Sequence, residues 1–576
     1  MTNEITSANA WAHLRPALVK SALLFALFES QTSEASFTDD ISIGNAKALA
    51  LGHAVTADPP NIDSIHFNPA GLTRQQGRQM YLKGVYGIFS QEYIFGDYGD
   101  FQKNLIKEYA SYTPEFVDEN GELTQAGRDY YYDEALNTRS KLKGPTSMLP
   151  DGMSNPPLAG GVMGGASYTP PGSRFTFATN VYGPMMNGGY RAEGDPGRFA
   201  QQRGAFSMLA YFSPTVAYKI SDEWQVGLSV GFNYSGMGLE LPVRVPNEVL
   251  FFFGTPIIQD NLCNPDGTSV TDLFDVCGEL KPYDTLTEMN FEVDQGLTFS
   301  YNLGLLWSPE PWLTFGLAYN SEIKAKMKGD YYFPILPGVR RLLDGLSSGT
   351  AFNTLVKVGD FLDYPIPTAE EIEKQGRGKL GVKYTFPQRL NAGVSVMVTP
   401  NWKVNFDVKW TEWSVFSDIA LQFDGEVPLM QLGYTVDKVL AGGANGIKPD
   451  RVSFNFGLQD VLYWGLGTEY QYSSNLALRF GFQSRPSAVP TNRPNAYIPL
   501  NDANLISFGF GYETDSGSIF DFGIGYMQSK SHWPPCTSNL GNACDLSVMI
   551  SPNYQGQDIK AEVSFTLFEL TYSRHF

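Results

Sequence analysis

The sequence predicts an all-β protein: a transmembrane antiparallel β-barrel of about 14 strands with an N-terminal hatch, a plug, inside its lumen. Three observations lead there. Apolar residues recur at every second position from residue 79 onward. Connections between these runs alternate between short and long. Beyond the first 35 residues no window approaches the roughly 18 to 20 consecutive apolar residues that a membrane-spanning helix needs. Composition agrees. The 576 residues carry a net charge of −19 with only 18% charged, while Gly (58) and aromatics (14%) are both high, which suits strands with aromatic girdles. No basic footprint speaks for nucleic acid, and hydrophobicity is too high for a disordered acidic chain.

In order along the chain, residues 1–35 read as a secretory signal peptide. His13, Arg15 and Lys20 precede the apolar run 21–28, and Ser33-Glu34-Ala35 supplies a small-x-small cleavage site. Mature protein is expected from Ser36. Residues 36–78 follow as the hatch: Gly44, Gly52, Gly71, Pro59, Pro60 and Pro69 break regular structure, while Ile41, Ile43, Leu49, Leu51, Ile65 and Phe67 are too apolar for a solvated tail. Residues 79–576 form the barrel.

Period-two alternation is clearest at Trp402, Val404, Phe406, Val408 and Trp410, which share one face against Lys403, Asn405, Asp407 and Lys409 on the other. Residues 224–234, 297–307, 476–482, 506–512 and 520–526 repeat it, and the chain closes on Phe568, Leu570, Tyr572 and the terminal Phe576. A soluble sandwich has the same alternation. The connections decide between them: Ser221-Asp222-Glu223, 308–311 and Thr399-Pro400-Asn401 are short, whereas roughly 90–156, 242–290, 331–378, 415–457, 486–503 and 530–559 are long, the pattern of periplasmic turns and extracellular loops. An even strand number puts both ends on the periplasmic side, in the outer membrane of a Gram-negative bacterium.

Cysteine placement suits an oxidising route. Cys263 with Cys277, and Cys536 with Cys544, is the simplest of three possible pairings. A zinc site is disfavoured because neither spacing is of the C-x2-C kind and only His532 lies near. Only five His occur, none with a convincing strand-borne Ser partner, so the reading is not an enzyme, with no cofactor and no metal.

Ser42-Ile43-Gly44-Asn45-Ala46-Lys47-Ala48, Gly52-His53-Ala54 and Asn68-Pro69-Ala70-Gly71 resemble the N-terminal hatch, with its Asn-Pro-Ala motif, of the FadL family of long-chain fatty acid and hydrophobic-compound transporters (OmpP1/FadL/TodX type). The resemblance continues through 217–222, Tyr319-Asn320-Ser321, Trp410-Thr411-Glu412-Trp413 and 478–490. It implies capture of a hydrophobic molecule by extracellular loops, transfer to a pocket above the hatch, and lateral release through the barrel wall. Long-chain fatty acids lead as substrate, with neutral or aromatic hydrocarbons as the alternative.

Three groups of residues are candidates for these steps. Leu250, Phe251, Phe252 and Phe253, with Leu342 and Leu343, are apolar clusters in polar loops and fit ligand capture or mutual loop packing. Tyr182, Gly183 and Pro184 fall where the family's third strand kinks; Pro lacks an N–H and Gly weakens a ladder, so they fit a lateral gate or a strand end. Lys324, Lys326 and Lys328, on a presumed lumen face, and Arg479 are headgroup candidates or ion-paired residues. Expected partners are the hydrophobic ligand, outer-membrane lipid and lipopolysaccharide, with no nucleic acid, around a monomer.

Overall fold

The computed structural model describes residues 40, 42–111, 113–244, 282–337, 340, 343–344, 367–416, 418–441, 448–490, 495, 498–499, 501–538, 541–544 and 553–576. Residues 1–35, Leu250 to Phe253, Leu342, Cys263 and Cys277 lie outside them.

Fourteen antiparallel strands close on themselves, several built from two segments. They are β1 (Gly77–Tyr98), β2 (Ala159–Thr169), β3 (Phe175–Asn180 and Tyr182–Tyr190), β4 (Arg203–Phe212 and Thr215–Lys219), β5 (Trp224–Arg244), β6 (Thr285–Glu310) and β7 (Leu313–Asn320 and Ile323–Tyr332). There follow β8 (Arg377–Phe386 and Arg389–Thr399), β9 (Trp402–Thr411 and Asp418–Phe423), β10 (Arg451–Asn455 and Val461–Gln471), β11 (Leu476–Arg485), β12 (Ala503–Glu513), β13 (Ser518–Trp533) and β14 (Gln557–His575). Closure comes from the β1–β14 ladder, which runs from Gln79 opposite His575 to Tyr98 opposite Gln557. Closure leaves no open sheet edge at either end of the strand order, so nearly all of the wall finds its backbone partners within itself.

Alternation sorts side chains as lipid requires. Leu297, Phe299, Tyr301, Leu303 and Trp307 of β6 are exposed outward, as are Leu478, Phe480, Ile506, Phe508, Phe510, Phe520 and Leu570. Between them Asn302, Asn405, Asp407, Lys409, Gln483 and Glu569 point inward and are buried. Nothing apolar in lipid would receive these polar groups, so something inside the barrel has to.

At the long-connection end the strands outrun the apolar belt and the connections pack on one another. The Arg244 guanidinium, at the end of β5, donates to both Asp133 carboxylate oxygens (2.5 and 2.9 Å) and to the Asn553 carbonyl (2.7 Å). It lies 3.5 Å from the Phe199 ring centroid and within 5.6 Å of those of Tyr283 and Tyr554. Four connections thus meet on one desolvated cation. Cys536 and Cys544 form a disulfide in one of them.

Candidate functional site

Residues 42–76 lie within the barrel. A short helix α1 (Ala46–Ala50), capped by the Asn45 side chain, and α2 (Ser64–Phe67) lead into a 3-10 turn (Pro69–Arg74) capped by Asn68. The backbone of this segment rests on glycines of the wall. A β-carbon on Gly227 would overlap Pro69, one on Gly304 would overlap Asn68, and one on Gly316 would overlap the Thr56 carbonyl. Across the lumen, Gly465 and Gly467 meet Gly52 and Leu51, Gly481 meets Gly52, and Gly523 meets Ala46. Only residues without side chains let two backbones come this close.

Asn68 of the Asn-Pro-Ala motif uses that clearance. Its amide donates to the Thr56 carbonyl (2.8 Å) and to the Leu305 carbonyl of β6 (3.1 Å), while its oxygen accepts from Ala70 N–H (3.2 Å). Asn302 and Asn320 donate to the carbonyls of Ile65 and His66 (both 3.0 Å). On β9, Asp407 accepts from the N–H groups of Val55 and Thr56 (both 2.9 Å).

Two aspartates of the segment, Asp58 and Asp63, and Asp40 just before it anchor it ionically. Asp40 meets Arg389 (2.7 Å), Lys409 (3.1 Å) and His66 Nε2 (2.7 Å). Burial pushes its pKa up, but Lys409 and Arg389 outweigh this and hold the carboxyl well below the usual range. Burial lowers the pKa of His66 and brings that of His53 to about 3, so the surroundings favour the neutral ring at both positions. Asp58 meets Lys403 (2.7 Å), Lys47 (3.1 Å) and Arg74 (3.3 Å). Asp63 takes Lys83 of β1 (2.6 Å), Asn45 (2.9 Å) and Asn180 of β3 (2.5 Å).

Beside Asp63 the wall changes. β2 pairs with β1 along its whole length, from Gly77 opposite Thr169 to Gly87 opposite Ala159. On its other edge it pairs with β3 only from Gly165 to Tyr168, and the Val181 N–H donates the last bond, to the Gly164 carbonyl (3.0 Å). At Tyr182 the strand turns away and continues along β4, with a register shift between Tyr182 and Met185. Among the described residues, the facing edges 159–163 and 182–187 share no ladder pair. Strand β3 therefore does not end at Gly183-Pro184 but kinks there. Gly183 is not in the left-handed region; what a side chain would meet is the Met186 thioether, 2.8 Å from an added β-carbon.

Above the segment, towards the long connections, the lumen becomes apolar. Met185 and Met208, Phe291 and Val293, Ile323, Ala325 and Met327, Val382 and Tyr384, Ile419 and Leu421, and Tyr463 form one buried cluster. Helix α3 (Ala369–Gln375) contributes Ala369 and Ile372 from a long connection. Leu343, one of the capture candidates, belongs to this cluster. The kink joins the two zones: Met185 is in the apolar cluster, while Tyr182 packs with Ile43, Ile65 and Tyr81, its ring 5.3 Å from that of His66.

The headgroup candidates are corrected. Lys324, Lys326 and Lys328 are exposed on the outer face of β7, and Ile323, Ala325 and Met327 point into the lumen. Above the lipid belt the outside of the barrel is polar, so the charged face turns outward and the apolar face inward. Arg479 does point inward, but its guanidinium is held by Glu469 (2.6 Å) and Asp521 (2.5 Å). Sequence reasoning missed Asp40, Asp63, Lys83 and Asn180: Arg389 stands 349 residues from Asp40 and Asn180 stands 117 from Asp63, while the 20-residue separation of Asp63 and Lys83 follows no periodicity that would pair them. A usable signal existed in the inward glycines, Gly227, Gly304, Gly316, Gly465 and Gly481, each on an otherwise regular strand.

The family profile described as outer membrane protein transport protein (OMPP1/FadL/TodX) matches residues 25–576. A long-chain fatty acid transport protein of Escherichia coli O6:H1 is 25% identical over 234 residues, 40% of this chain and 42% of that protein. That of Shigella flexneri is 24% identical over 316 residues, 55% of this chain and 59% of its own, so the chain aligns with about two to three fifths of these relatives. Among solved structures, a Pseudomonas aeruginosa FadL homologue superposes with a TM-score of 0.60 at 15% identity, covering 95% of this chain and 100% of that one. The toluene transporter TodX of Pseudomonas putida gives 0.53 at 14% identity, covering 93% and 99%. With a closed barrel, a segment seated within it and a match along nearly the whole chain, this protein belongs to the OMPP1/FadL/TodX family of outer-membrane transport proteins.

Proposed function

We propose that the protein takes up hydrophobic small molecules, long-chain fatty acids foremost, by capture at the extracellular end, passage into the apolar upper lumen and lateral exit at the β3 kink. One observation carries this reading: the apolar cluster reaches the unpaired stretch of wall through Met185, directly above residues 42–76. An apolar solute leaving there enters lipid without crossing water. In this reading residues 36–78 are the hatch that blocks the direct route to the periplasm, Tyr182, Gly183 and Pro184 are the gate, and Leu250 to Phe253 with Leu342 and Leu343 serve capture.

The test is a Gly183→Ala/Pro184→Val double variant at matched outer-membrane levels. It restores an N–H at position 184 and sets a β-carbon against the Met186 thioether at the kink, so delivery of labelled oleate into the membrane should fall several-fold while surface binding persists. Wild-type delivery would remove the lateral route. Neutral or aromatic hydrocarbons are the second reading, favoured because Lys324, Lys326 and Lys328 lie outside and Arg479 is ion-paired. Uptake of labelled toluene beside labelled oleate separates the two.

A further inference from the structure

The outer wall of β7 and β8 carries a cationic surface that runs against the sign of the whole chain. Lys326 of β7 stands directly opposite Lys383 of β8, and both side chains are exposed. Like charges directly opposed across a ladder repel. Lys324 and Lys328 flank Lys326 on the same face, and Lys379 lies on the same face of β8. Nearby acids neutralise only part of this: Lys324 pairs with Glu322 (2.6 Å), Lys379 pairs with Asp330 (2.6 Å), and Asp294 of β6 faces Lys328. Lys326 and Lys383 make no ion pair among the described residues. Beyond Lys383, β9 turns Asp418, Ala420 and Gln422 outward, so Asp418 is one more acid on this face.

Height on the barrel indicates what this surface meets. On β6 the outward apolar run gives out at Leu297, and Asp294, the partner of Lys328, lies three residues beyond it. At about 3.3 Å per residue the lysines stand within roughly 10 Å of the top of the lipid belt. Long connections mark this as the extracellular end. In the outer leaflet of such a membrane, that level is occupied by the phosphates of the glycolipid that forms the leaflet.

We propose that Lys326, Lys383 and Lys328 form a docking surface for a phosphorylated glycolipid of the outer leaflet. Its phosphate groups bridge the opposed lysines while its acyl chains lie along Phe315 and Leu317 below, both exposed on the same strand. The proposal rests on the barrel's place in the membrane and is independent of the transported substrate.

The experiment titrates the full-length protein in detergent with bisphosphorylated lipid A and with the same lipid after phosphate removal. Wild-type protein should prefer the phosphorylated form by on the order of thirtyfold, two surface lysines being worth about that. A Lys326→Gln/Lys383→Gln variant should lose the preference and still show the heat-modifiable gel mobility of a folded barrel. A Lys103→Gln/Lys107→Gln control, whose lysines are paired with Asp97 and Glu122, should keep it. Equal binding of both lipids by wild type, or an unchanged preference in the Lys326/Lys383 variant, overturns the proposal. So does inorganic phosphate that competes at the concentrations at which lipid A itself binds, since the site would then be one for free anions.

Discussion

Lys83 Nζ donates to Asp63 Oδ1 at 2.6 Å, with both side chains wholly buried, and so ties strand β1 to the lumenal segment beside the kinked wall. The same ammonium also donates to the Ile43 carbonyl (2.7 Å). Replacing Asp63 by Ala leaves a buried cation without its acid, at a cost of about 3–5 kcal/mol. The Asp63→Asn/Lys83→Met pair, which removes both charges and keeps an acceptor for Asn45 and Asn180, should cost less. Because the wall closes without the segment, the loss should appear as faster hydrogen exchange confined to residues 42–75. Barrel unfolding in step with it would contradict this account.

Acid should loosen the same segment. His53 and His66 have pKa values depressed by burial, so the folded state disfavours their charged forms. Their neutral burial is fully stable above the ordinary His pKa of about 6.5 and loses ground as pH falls below it. For His53 alone the loss is about 2 kcal/mol by pH 5. Asp40, held low, stays ionised through this window; its charge beside His66 and His53 works against burial but does not outweigh it. Single-channel recordings should be silent at pH 7.5 and show openings towards pH 5, and a His53→Gln/His66→Gln variant should lose that dependence. Identical traces across the range would count against the segment as the block.

Bulk at the glycine shelf should unseat the segment from the opposite side. In Gly304→Val the new side chain occupies the place of the Asn68 carboxamide. We expect a barrel that assembles at normal levels with a conductance close to that of a protein lacking residues 36–75. If Gly304→Val is silent, the segment can shift without opening a path.

Much of this was legible in the sequence because lipid imposes one rule on every strand, apolar outward at alternate positions, and Trp402 to Trp410 obeys it. The error at Lys324, Lys326 and Lys328 shows where the rule stops. Alternation says which residues share a face, not whether that face meets lipid or water. Strand β7 is interrupted after Asn320, so Phe315 and Leu317 below the break and Lys324 and Lys326 above it are all exposed although their positions differ in parity. The kink at Tyr182 could be read because Gly and Pro leave a local mark. Asp40 could not be matched to Arg389, 349 residues away, since pairing across a closed barrel leaves no local trace.

The glycine shelf also sets the calibre of the tube. Where the segment rests, the wall is at its thinnest, because backbone rather than side chain forms its inner surface at Gly227, Gly304, Gly316 and Gly481. A barrel emptied of residues 36–75 is therefore wider at that level than its strand number implies. Its bore would admit solutes that a barrel of the same size with ordinary inward side chains excludes, so such a cell should become sensitive to bulky hydrophilic toxins.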